Sequence, residues 1–109
     1  LCDLPQEEFW IVLLNQSNKV IATTCISSGG IDGTYADVRT ILREALMQRA
    51  TGVILSHNHP SGNPNPSNED KKLTAQIQQA ARTMNIRVAD HVIICDGRYY
   101  SFADNGEMV

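Results

Sequence analysis

Residues 53–70 read VILSHNHPSGNPNPSNED, and how they fold decides the architecture of the chain. VILS is a short continuous apolar run of strand length, preceded by Gly52 and leading straight into His57. Alternate residues of a strand project to the same side, so His57 and His59 present both imidazoles together at its end. The loop that follows holds Pro60, Pro64 and Pro66 with Gly62, three of the four prolines in the chain. Prolines restrict the unfolded chain, so this loop is shaped to set the next helix beside the histidines. Ser67 opens that helix, whose apolar positions Leu73, Ile77, Ala80, Ala81 and Met84 keep helical spacing, with Asn85 as its stop.

Working outward, FWIVLLN (9–15) is a strand with Phe9, Ile11 and Leu13 on one face and Trp10, Val12 and Leu14 on the other. Both faces are apolar, which predicts a centrally buried strand. After QSNK, VIATTCIS pairs with it as a hairpin. SSGGIDGTYAD (27–37), with three glycines, is a flexible loop: a flap over a cleft, or a passive connection. A first helix runs from Tyr35 or Ala36 to about Arg49 on the spacing of Val38, Ile41, Leu42, Ala45 and Leu46. IRVADHVIIC and YYSFAD, separated by DGR, form two final strands. The order β-β-α-β-α-β-β, with no repeat or linker, predicts one α/β domain over residues 1–109.

Composition narrows the function classes. At 109 residues, 42% hydrophobic and 19% charged, the chain is an ordinary globular domain. It has no apolar run near the roughly 20 residues of a membrane helix, and LCDLPQEEFW lacks the features of a signal peptide. A cytoplasmic location is the expectation, and opening on a strand entry suggests a trimmed chain. Cys2, Cys25 and Cys95 are scattered, odd in number and outside any C-x-x-C, so they read as free thiols. A net charge of −3 with scattered Lys and Arg disfavours a nucleic-acid surface, and the adjacent Lys71 and Lys72 suit a solvated helix face.

The histidine pair is where chemistry concentrates. Two imidazoles on one side of an apolar strand need partners for their ring nitrogens, and a shared cation supplies one. Asp70, at the third helical position, is a candidate third ligand. Ser67-x-x-Asp70 also reads as a capping box that satisfies free N–H groups at the helix start and needs no further role. Two imidazoles and a carboxylate suit zinc with a fourth position open to water, the pattern of hydrolytic sites. Water bound there reaches a pKa of roughly 7 and becomes a nucleophile.

The run from His57 to Asp70 reproduces the H-x-H-x7-S-x2-D signature of the JAMM, or MPN, metalloproteases. With DHVII and YYSF it resembles the RadC branch of that family over essentially the whole chain. The resemblance implies a fold similar to cytidine deaminases, a mixed curved sheet flanked by helices. It implies zinc held by His57, His59 and Asp70, Ser67 hydrogen-bonding the oxyanion of a tetrahedral intermediate, and an upstream glutamate as general base. Glu7 fits that last position best, with Glu8 pointing the other way. Many family members have glycine where Trp10 stands, and two adjacent glutamates permit a slip of one. His91, in DHVII, either bridges strands as a neutral imidazole or supports a zinc ligand from behind.

The expected function is a zinc metallohydrolase, a peptidase or isopeptidase acting on a peptide substrate. RadC-like proteins have been linked to DNA repair, and full-length members often carry an N-terminal helix-hairpin-helix segment that this sequence does not include. A non-catalytic scaffold is the third reading, though every ligand position is filled. A nucleoside deaminase is excluded, because P-C-x-x-C is missing.

Overall fold

The computed structural model describes residues 7–28, 37–59, 63–95 and 97–108. Most of the proposed flap, Cys2 and the tip of the histidine loop (residues 60–62) lie outside them. The element order is the expected one: β1 Glu8–Leu14, β2 Val20–Ser28, α1 Val38–Met47, β3 Gly52–Asn58, α2 Asn68–Thr83, β4 Arg87–Cys95 and β5 Arg98–Ser101. They build an α/β domain on one five-stranded mixed sheet of order β2-β1-β3-β4-β5. β3 and β4 are parallel, joined through α2, and every other pairing is antiparallel.

The β1–β2 hairpin turns on Asn15, whose Oδ1 accepts from Ser17 N and Lys19 N at 2.8 and 3.0 Å. Asn18 takes the left-handed conformation (φ 63°) that asparagine tolerates.

Phe9, Ile11 and Leu13 pair directly with His57, Leu55 and Val53, so one face of the sheet is apolar across β1 and β3. Both helices feed this face: Ile41, Leu42 and Ala45 of α1 and Leu73, Ile77 and Ala81 of α2 join the same core cluster. The expectation that β1 is covered on both faces is corrected accordingly. On the even-numbered face Leu14 is buried as expected, but Trp10 and Val12 are only half-buried, because the two helices both pack on the odd-numbered side.

The helices stop for the same reason. Ala50 N donates to Ala45 O and Arg49 N to Leu46 O after α1; Ile86 N donates to Ala81 O and Asn85 N to Arg82 O after α2. Each is a Schellman closure, with Arg49 and Asn85 left-handed at φ 57° and 58°. α1 begins at Asp37, whose side chain accepts from Arg39 N. β5 is shorter than expected. Ser101 accepts from Asp104 N through Oγ and from Asn105 Nδ2 through its carbonyl, which curls 102–106 into turns.

Two features position the site. The parallel β3–α2–β4 crossover brings the N-terminus of α2 to the carboxyl end of β3, the usual ligand end of such units. β1 runs antiparallel to β3, with Phe9 opposite His57, so the residue entering β1 arrives at that same end.

Candidate metal centre

His57 is 1% exposed and stacks on Phe9, ring centroids 5.6 Å apart and 10° from parallel. Strand pairing runs on to Asn58, and His59 N still donates to Ile94 O at 3.0 Å, which holds the second imidazole in line with the first. The two Nε2 atoms are 2.9 Å apart.

Asp70 is buried on the first turn of α2. Ser67 Oγ accepts from Asp70 N at 3.0 Å, and Asp70 Oδ2 accepts from Ser67 N at 2.9 Å. The capping box is therefore real, and the same carboxylate faces the histidines: Oδ1 lies 3.3 Å from His57 Nε2 and Oδ2 3.2 Å from His59 Nε2. Cap and candidate ligand are one group, each role fixing the carboxylate for the other. A tetrahedral zinc with bonds of about 2.0–2.1 Å has ligand–ligand edges of about 3.3–3.4 Å. Separations of 2.9, 3.2 and 3.3 Å suit such an ion after slight expansion.

The far nitrogen of each histidine is also held. His59 Nδ1 donates to the Asn63 carbonyl at 2.9 Å; a carbonyl only accepts, so in the neutral ring Nε2 keeps its lone pair. His57 Nδ1 lies 2.8 Å from His91 Nε2. His91 is wholly buried, stacked on Phe102 at 4.7 Å and 11°. Burial first, then repulsion from His57, lowers its pKa to about 3. It is both a strand-bridging neutral imidazole and the support behind His57.

The electrostatics call for a proton or a cation among these groups. Burial pushes the Asp70 carboxyl up, but hydrogen bonds and attraction from the histidines hold it well below the usual carboxylate range. The Asp70 contact raises His59, against burial. Two imidazole lone pairs and a charged carboxylate within 3.3 Å of one another need a proton or a metal among them.

Glu7 stands further out, Oε1 3.7 Å from His57 Nε2, its side chain one-third exposed. Its carboxylate and the two imidazoles present ligand atoms within 4.8 Å of one another. The shorter contacts favour Asp70 as the candidate third ligand and leave Glu7 at the rim. Glu8 projects to the opposite face, where its carboxylate accepts from Trp10 Nε1 at 2.9 Å. Trp10 thus serves Glu8 and lies away from the histidines.

Sequence reasoning missed two residues. Asn58, fully buried and between the histidines in sequence, accepts from Glu8 N at 2.6 Å and pins the start of β1 at the end of β3. Thr74, also buried, sits one helical turn after Asp70; its hydroxyl donates to Asp70 O at 2.8 Å and lies 2.5 Å from His91 Nδ1. The available signal was a polar residue within the apolar stripe of α2, four positions from Asp70. A cavity of about 320 Å³ at the opposite end of α2 and β4, lined by Arg82, Arg87 and their neighbours, is open but carries no nucleophile or ligand cluster.

A family model described as a RadC-like JAB domain matches residues 1–107. The chain belongs to that family. Among its RadC-like relatives it is 50% identical over 104 residues to a UPF0758 protein of Flavobacterium johnsoniae, covering 95% of this chain and 45% of that protein. It is 51% identical over 107 residues to a UPF0758 protein of Porphyromonas gingivalis, covering 97% and 47%. It is 42% identical over 106 residues to UPF0758 protein YfjY of Escherichia coli, covering 97% and 66%. The chain thus spans about half the length of the first two RadC-like relatives. Among the described residues no helix is long and apolar enough to cross a membrane.

Proposed function

We propose that this RadC-like JAB domain is a zinc-dependent hydrolase of amide bonds, a peptidase or isopeptidase. The observation that carries the reading is the convergence of His57 Nε2, His59 Nε2 and the Asp70 carboxylate within 3.3 Å, with Glu7 at their rim. His57, His59 and Asp70 are the residues that would hold the ion. An ion held there would supply a water of pKa lowered to roughly 7 and polarisation of a carbonyl. Glu7, one-third exposed, accepts the proton of the attacking water at its carboxylate and returns it to the leaving nitrogen. Ser67 uses its Oγ lone pair to accept from Asp70 N, which leaves its hydroxyl hydrogen to donate to the oxyanion. Phe9 walls one side of His57 and keeps water from its ring face.

The test pairs metal analysis with turnover. Purified protein is expected to bind one zinc per chain, and His59→Ala to bind none. Glu7→Gln is expected to keep the zinc and lose about 10²–10⁴-fold in turnover. Zinc-saturated protein inert towards a broad panel of peptides and isopeptides would overturn the reading.

A further inference from the structure

Behind the site runs a closed circuit of polar contacts whose direction fixes which nitrogen of His57 carries the lone pair. Asp70 begins and ends it. Its carboxylate faces His57 Nε2 at 3.3 Å; His57 Nδ1 meets His91 Nε2 at 2.8 Å; His91 Nδ1 meets Thr74 Oγ1 at 2.5 Å; and Thr74 Oγ1 donates to Asp70 O at 2.8 Å. A threonine hydroxyl has one hydrogen. With that hydrogen on the Asp70 carbonyl, Thr74 can only accept from His91, so the proton of the neutral His91 ring sits on Nδ1. His91 Nε2 is then an acceptor, His57 Nδ1 must donate to it, and the lone pair of His57 is left on Nε2. Were the hydroxyl turned to donate to His91, every step would reverse and a proton would occupy the nitrogen that faces Asp70.

We infer that Thr74 is a positioning residue that presets the tautomer of His57 through His91, directing the His57 Nε2 lone pair into the metal site. The inference rests on the proposed metal site. It extends to Thr74, which touches neither ion nor substrate, is 2% exposed and is packed too deeply to meet either. The carbonyl that orients it belongs to Asp70, so the geometry of one ligand and the tautomer of another are set by the same helical turn.

The test uses Thr74→Val, which keeps the shape and removes the hydroxyl, and Thr74→Ser, which keeps the hydroxyl. Zinc titration against a competing chelator is expected to show affinity about 10–100-fold lower for Thr74→Val and within about twofold of the parent for Thr74→Ser, the scale of losses seen when partners behind metal ligands are removed. Imidazole nitrogen NMR of the parent chain is expected to find His91 protonated on Nδ1 and bare on Nε2, with or without zinc. Equal affinity in Thr74→Val, or His91 protonated on Nε2, would overturn the inference. The NMR reading does not require zinc to bind, so a parent chain that took up no metal would sink the proposed function while the tautomer still decided the relay.

Discussion

The adjacent glutamates show how much a single position carries. Glu7 and Glu8 are chemically identical, yet strand alternation sends one to the histidines and ties the other to Trp10. A carboxylate one residue along is therefore expected not to substitute: Glu7→Gln, with Glu8 retained, should show no rescue of turnover, measured at saturating zinc. At the same scale, His91 governs acid sensitivity when zinc is chelated. Its pKa is lowered from 6.5 to about 3 in the fold, so unfolded chains take up its proton first and stability falls as pH drops from about 6.5 towards 3. The expected slope is on the order of 1 kcal/mol per pH unit in denaturant titrations, and His91→Gln, which cannot titrate, should flatten it. Below about pH 4 the lowered Asp70 adds a loss of the same sign. His59 acts oppositely: its raised pKa contributes stability that is complete below 6.5 and lost as pH rises through the folded value. The contributions of these three groups to the metal-free chain are accordingly greatest together near pH 6.5. The directions of His57, His59 and Asp70 were readable from sequence because strand alternation and helix position predict them, whereas Glu7 was reached through the family resemblance. Thr74 was not, since its part depends on an imidazole 17 positions away arriving from another strand.

At the scale of elements, α2 does two jobs at its first turn. Ser67→Ala should cost about 1 kcal/mol of stability through the lost cap and about 10²–10³-fold in turnover if the hydroxyl donates to the oxyanion. Ser67→Asp separates the two, keeping a capping acceptor but no donor: stability near the parent in urea titration, turnover still lost. At the other end of α1, Arg49 pays for a left-handed backbone that glycine adopts freely. Arg49→Gly should stabilise by up to about 1 kcal/mol, whereas Asn85→Gly should gain less, because asparagine already tolerates φ > 0. The pattern of apolar residues made both helices and the order of all seven elements legible. It misjudged the cover over β1, since apolar character at Trp10 and Val12 says nothing about which side two short helices choose, and it extended β5 because the Ser101 hydrogen bonds that end it are a matter of tertiary contact.

Across the whole molecule, the mixed topology assembles the site from four places: the entry of β1, the end of β3, the start of α2 and the middle of β4. Zinc at 100 times its dissociation constant should therefore add about 2.7 kcal/mol to unfolding stability, reversed by chelation and missing in His59→Ala. The circuit through Asp70, His57, His91 and Thr74 has a dynamic consequence as well. Because it laces α2 to β3 and β4 but bypasses β2, stripping the ion should quicken amide hydrogen exchange around the first turns of α2 and the centre of β4, while the slow amides of the β1–β2 hairpin keep their pace.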